Sequence, residues 1–203
     1  MLTVMGKLVS INVRKVLWTC RLLDLPFTLE PWGSGARDPN VPEFLALNPN
    51  AQVPVLRDGD TVLWESNTIC RYLAHDSFLL PADRLQRARI EQWMDWQATE
   101  LNAAWRPPFM ALMRGSTKFG PDDIAAGVRD WNAKMALLDA QLARTGAFVA
   151  GETFSLADVV LGVSAHRWRS TPIDHADLPA VQAWLERLAQ QPGFGDYCGD
   201  ATP

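Results

Sequence analysis

The chain has 203 residues, 48% of them apolar and 21% charged. At about 150 residues per domain this means one or two domains of an ordinary globular kind. Nineteen basic against 23 acidic side chains leave a formal charge of −4, which argues against a nucleic-acid or anionic-membrane partner. Leu2 to Met5 is an apolar run suited to a short buried strand. Val13, Val16, Leu17 and Cys20 then fall on one helical face, and Pro26 ends that helix. Phe27 to Glu30 reads as a second strand, Trp32 to Asn40 as a loop, and Val41 to Leu47 as a short helical turn. Val53 to Arg57 and Thr61 to Trp64 read as strands joined by the Asp58-Gly59-Asp60 turn. Glu65-Ser66 opens a helix carrying Ile69, Cys70, Tyr72 and Leu73. The order is βαβ, then αββα.

Every periodic stretch after about residue 83 is helical. Ile90, Trp93, Met94, Leu101, Ala104 and Trp105 form a stripe, with a break expected at Pro107-Pro108. Gly120-Pro121-Asp122 marks a helix start, and Ile124, Val128, Trp131, Met135, Leu138 and Leu142 share its face up to Gly146. Ser155 and Asp158 stand as a capping box, with Phe154 and Val159 at the staple positions. Val181, Trp184, Leu185 and Leu188 mark the last helix expected. Periodicity thus gives a small α/β domain followed by an all-helical one, with most of the nine tryptophans in the core.

The longest stretch free of Asp, Glu, Lys, Arg and His is Phe44 to Leu56, 13 residues interrupted by Asn and Pro. A membrane span needs about 20 apolar residues, so none is expected, and no signal-peptide pattern opens the chain. Cys20, Cys70 and Cys198 make neither a disulfide framework nor a CxxC pair, which fits a reducing, cytoplasmic setting. His75, His166 and His175 share no metal-ligand spacing, so no metal is expected.

Three segments carry candidate chemistry. In Asn48-Pro49-Asn50-Ala51-Gln52-Val53-Pro54-Val55-Leu56, a proline interrupts a strand-like run. Either the strand begins at Pro54 or Val55, or the proline takes the uncommon cis form. In Trp64-Glu65-Ser66, a strand gives way to a helix within two residues. Free N–H groups there attract a carboxylate, to which Ser66 adds a hydroxyl, while Glu65 suits an ammonium. Together they could hold an amino-acid head group, or the two residues could simply cap the helix. Ser10-Ile11-Asn12 lies between the first strand and helix, where α/β folds often bind ligands and where Ser and Asn are also ordinary caps.

N-P-N-A-Q-V-P-V-L, then E-S-N-T-I-C-R-Y-L-A, with F-S-L-A-D far downstream, resemble in that order the cytosolic glutathione transferase family across essentially the whole chain. The resemblance implies a thioredoxin-like glutathione-binding domain, residues 1–77, and an all-helical domain, residues 84–203, that shapes a pocket for the electrophile. It implies that Val53, with Gln52 and Pro54 beside it, meets the cysteinyl unit by its backbone. Glu65 and Ser66 match the positions that hold the γ-glutamyl end. The segment S-I-N-V-R-K-V looks like bacterial members with Ser and Asn at the activating position. Ser10 is favoured over Asn12, because a hydroxyl is the shorter donor to a thiolate. The sequence departs from other members in having no Cys near Ser10 and tyrosines only at positions 72 and 197.

Arg37, from the loop beginning at Trp32, is the candidate for the glycyl carboxylate. Gly33-Ser34-Gly35 in that loop is not a phosphate loop, since no Gly-Lys-Ser/Thr follows. Trp105, Phe109, Met110 and Met113 are candidate walls of the electrophile pocket, and Arg84, Arg87 and Arg89 read as a solvated helix face. The family also implies a two-fold dimer, with Arg71, Trp93 and Trp96 near the contact. The expected activity is addition of glutathione thiolate to a small hydrophobic electrophile. Isomerase, dehalogenase or ether-cleaving chemistry, or glutathione binding without catalysis, are the alternatives on one fold.

Overall fold

The computed structural model describes residues 1–199. Strands β1 (Leu2–Met5), β2 (Phe27–Glu30), β3 (Val55–Asp58) and β4 (Thr61–Trp64) form one sheet in the order β2-β1-β3-β4. β2 runs parallel to β1, β3 antiparallel to it, and β4 returns beside β3 through the turn at Gly59. Gly59 sits at φ 58°, a conformation that costs a residue with a Cβ. Register puts Glu30, Met5, Val55 and Trp64 in one row across the sheet. The loops leaving β1, β2 and β4, and the loop entering β3, therefore emerge at the same end.

Helix α1 (Ile11–Leu22) follows β1, α2 (Pro42–Leu45) precedes β3, and α3 (Ser66–Leu73) follows β4. A Cβ on Gly6 would run into the Val13 side chain, so glycine there lets α1 start close against β1. The helical half holds α4 (Arg84–Trp96), α5 (Asn102–Arg114), α6 (Pro121–Thr145), α7 (Leu156–Ser170), α8 (Pro179–Leu188) and α9 (Phe194–Cys198). Helix α7 is buried from Leu156 to Trp168 and packs on α1, α3, α4, α8 and α9. Five tryptophans are buried, at positions 18, 32, 131, 168 and 184, while Trp64 is exposed.

Several expectations are corrected. β3 begins at Val55, so Val53 and Pro54 precede the strand, and the Val53–Pro54 bond is cis. The stripe is not broken at Pro107-Pro108, because α5 runs through both prolines. They remove two donors that the carbonyls of Ala103 and Ala104 would have used. Gly127 of α6 leaves room for their rings, since a Cβ there would lie 2.6 Å from Pro108 Cδ. The interruption comes earlier, as a π-helical turn over Gln97–Leu101. Gln97 is fully buried and accepts from Lys15 Nζ at 2.7 Å, while its amide donates to Asn102 Oδ1 and Ser164 Oγ. Lys15 Nζ also donates to Asn67 Oδ1 at 3.3 Å, so the turn is tied to α1, α3 and α7. The helix at residues 179–188 is not the last, as α9 follows it.

Asp158 accepts from the N–H of Val149 and Ser155 (2.9 Å each), Ser155 Oγ (2.8 Å) and Trp184 Nε1 (2.9 Å). The Ser155 hydroxyl thus points at the carboxylate. Asp158 joins the start of α7 to the loop before it and to α8.

Candidate active site

The row Glu30, Met5, Val55, Trp64 ends in the segments that carry the candidate residues. After β1 the chain turns through Gly6 to Val9, with Ser10 N–H donating to the Lys7 carbonyl at 3.0 Å. Ser10 is the N-cap of α1 in extended conformation, but its side chain forms no cap hydrogen bond. The hydroxyl is half-buried and open to a ligand. Asn12 is half-buried on the first turn. The N–H groups of that turn have no acceptor within the helix.

Beside this turn, the loop before β3 is fixed by Asn48, which is buried. Its Nδ2 donates to the Gln52 carbonyl at 2.8 Å, and its Oδ1 accepts from the Asn50 backbone and side chain. Gln52 is exposed, Val53 half-buried and Pro54 buried. The Asn-Pro-Asn segment carried the signal for this clasp, since Asx side chains commonly bond the backbone two residues on.

One strand further, Glu65 stands at φ 69°, ψ 111°, outside the regions a residue with a Cβ prefers. Its side chain is exposed and makes no cap bond to α3. Ser66 is buried at the first position of α3. Capping by these two hydroxyl and carboxyl groups is therefore not what the geometry shows. A backbone held in a costly conformation at a helix start is common at ligand sites.

On the other side, Arg37 Nη1 lies 3.7 Å from Glu30 Oε2, and its guanidinium is 5.3 Å from the Trp32 ring centroid. Trp32, Arg37, Asp38, Val41 and Glu43 line an open cavity of about 410 Å³. Lys7 donates to the Ser34 carbonyl at 3.0 Å and is a second cation at this loop, one the sequence reading did not single out. Lys15 was missed as well. Its ammonium is 1% exposed, and burial pulls it down to about 7 against the weaker opposing pull of Glu65 and Cys70.

The candidate pocket walls divide. Trp105, Met110 and Met113 are half-buried, whereas Phe109 is 2% exposed and belongs to the core. The Trp105 and Phe109 rings meet edge to face at 5.4 Å. The thiols are not reactive centres. Burial raises Cys20 and Cys198 to about 12 and Cys70 to about 11. Among the described residues no group of three or more His, Cys, Asp or Glu is placed to hold a metal ion. Arg87 of the expected solvated face pairs with Asp76 and Glu91.

Residues 9–76 match the family "Glutathione S-transferase, N-terminal domain" and residues 121–187 match "Glutathione S-transferase, C-terminal domain". The chain is 35% identical over 198 residues to glutathione S-transferase GstB of Escherichia coli strain K12, covering 95% of each. It superposes on the theta class glutathione S-transferase of Xanthomonas axonopodis pv. citri, solved with glutathione bound, with a TM-score of 0.93. That match has 34% identity and covers 100% of this chain and 99% of the other. A glutathione S-transferase of Pseudomonas fluorescens aligns with a TM-score of 0.86 at 29% identity, covering 94% of this chain and 96% of the other. The chain belongs to the glutathione S-transferase family.

Proposed function

We propose that the protein transfers glutathione to a small electrophile, with residues 1–77 holding the tripeptide and residues 84–203 shaping the second site. The register row carries this reading, because it gathers Ser10, Val53, Glu65 and the Arg37 loop at one end of the sheet. Strands lie about 4.8 Å apart, so the row spans roughly 14 Å. An extended tripeptide is about 10 Å long and fits within it. Glu65 receives the γ-glutamyl ammonium, while Ser66 and the N–H groups opening α3 receive its carboxylate. Val53 pairs with the cysteinyl backbone, flanked by Gln52 and Pro54. Arg37 meets the glycyl carboxylate, which requires it to turn from Glu30. The sulfur then lies at the start of α1, where Ser10 donates to the thiolate and Asn12 stands second. Trp105, Met110 and Met113 wall the second substrate, with Phe109 supporting them. The cellular setting is a cytoplasmic one, and the role is detoxification.

Glu65→Gln is expected to weaken glutathione binding by about 1.5–3 kcal/mol, as for loss of a charge-assisted bond. Calorimetry checks this, and an unchanged dissociation constant in a folded variant returns Glu65 to a structural role. The protein should also form a two-fold dimer. Arg71 is paired within the chain to Asp95 and Glu91, and Trp93 meets Trp96 edge to face at 5.1 Å. These contacts preorganise the surface where a partner would sit. Light scattering at micromolar concentration should give twice the 22.6 kDa of one chain, and a mass of 22.6 kDa contradicts the dimer.

A further inference from the structure

Cations converge behind the first turn of α1, and two of them have nothing to answer their charge. Arg14 is 1% and Arg167 4% exposed. Arg14 Nη1 donates to the Tyr197 carbonyl at 3.1 Å, but its Nε and Nη2 are enclosed without a partner. Arg167 Nε is likewise enclosed and unpartnered. The Arg167 guanidinium carbon lies 3.9 Å from the Phe109 centroid and 4.5 Å from that of Trp105. Arg114 lies 5.2 Å from the same Phe109 ring and donates to the carbonyl of Val9, the residue before Ser10. Among the described residues no carboxylate pairs with Arg14 or Arg167.

Burying like charges together is costly unless an opposite charge joins them. The cost shows in the groups themselves. Burial, then repulsion from Arg14 and Arg114, pulls Arg167 down to about 8, and Arg14 is lowered chiefly by burial. Ring faces offset part of the charge on Arg167, but none is placed over Arg14. Enclosed donors without acceptors call for an explanation, and an absent anionic partner is one. The two glutathione carboxylates are already received at α3 and at the Arg37 loop, at the sheet end. The guanidinium cluster instead adjoins Trp105 and Phe109, the side expected to take the second substrate.

We propose that Arg167 and Arg14, flanked by Arg114, form a subsite for a carboxylate carried by the second substrate. The protein then favours small anionic electrophiles whose reacting carbon adjoins the acid group, because Arg114 touches the residue next to Ser10. A guanidinium fork matches a carboxylate through paired N–H donors. This inference rests on the glutathione transferase reading and narrows its substrate. In the reaction, the thiolate sulfur forms a bond to the carbon, the carbon–halogen bond breaks, and the halide departs with the electron pair. The thiol proton goes to solvent.

Iodoacetate and iodoacetamide test it, being close in size and differing in one charge. Each kcat/KM with glutathione is divided by the uncatalysed rate constant for the same reagent. The enhancement for iodoacetate should exceed that for iodoacetamide by about tenfold or more, the factor expected for about 1.4 kcal/mol from a charged hydrogen bond. Arg167→Gln should erase most of that preference. Equal enhancements in the parent overturn the proposal, as does a variant that slows both reagents alike, which assigns the cluster to the thiolate. Acetate gives a readout without mutation: it should compete with iodoacetamide and acetamide should not. Competition of acetate with glutathione instead assigns the cluster to the tripeptide and overturns the proposal. Failure of the underlying transferase reading looks different, since neither reagent is accelerated and calorimetry finds no glutathione binding.

Discussion

Asp158→Ala is expected to destabilise the protein by about 3–5 kcal/mol, the range for stripping a buried charged acceptor from its donors. Four donors lose their acceptor: two backbone N–H groups, the Ser155 hydroxyl and the Trp184 indole. Trp184 and Asp158 are both fully buried, so water does not replace the carboxylate without opening the structure. At about 2–4 °C per kcal/mol for a chain of this size, the melting temperature should fall by roughly 10 °C. Asp158→Asn keeps one oxygen but turns an amide N–H toward a backbone N–H, so its loss should be smaller, about 1–3 kcal/mol. Calorimetric melting at pH 7 checks both. A variant melting within 2 °C of the parent, roughly the effect of 1 kcal/mol or less, contradicts this account of the α7 start. Burial pushes the Asp158 carboxyl up to about 6 against its four donors. The folded state therefore binds this proton more tightly than the unfolded chain, and the contribution of Asp158 to stability falls as pH rises from about 4 to 6.

Ser10→Ala should lower kcat/KM at pH 7 by about a hundredfold, as for loss of a donor aimed at charge in the transition state. The pKa of the thiol alone does not supply that much. A fall from about 8.5 to about 6.5 raises the thiolate fraction at pH 7 from about 3% to about 75%. Nucleophilicity falls with pKa at a slope of about 0.45, so two units lose roughly eightfold, and the net gain is about threefold. The remainder comes from alignment of the sulfur against the electrophile, for which the Ser10 hydroxyl is free of any capping bond. A fall of only threefold, measured with one electrophile at saturating glutathione, limits Ser10 to setting the pKa. Asn12→Ala should cost less than Ser10→Ala.

The sheet, its turns and most helices were legible because each rests on local chemistry. Alternating runs gave the strands, Gly59 gave the hairpin, and Pro121 and Gly146 bracketed α6. The candidate site was legible only as three separate segments. Register is what brings them to one row, and register depends on pairing across the sheet. The buried cations were not legible at all. Arg14 and Lys15 share a helix with Val13 and Val16, and an amphipathic reading sends them to solvent. Helices α7 and α9 cover that face, which no local pattern on α1 announces. The prolines of α5 misled for the opposite reason. Their local rule was overridden by Gly127 on a helix distant in sequence, while Gln97 gave no breaker signal where the turn does change.

Titration of the ultraviolet thiolate band in the binary complex with glutathione tests the central claim most directly. The parent should hold bound glutathione well below the free thiol value of about 8.5. Ser10→Ala should move it back toward that value, with a smaller movement for Asn12→Ala. A parent complex that titrates like free glutathione contradicts sulfur activation at the start of α1.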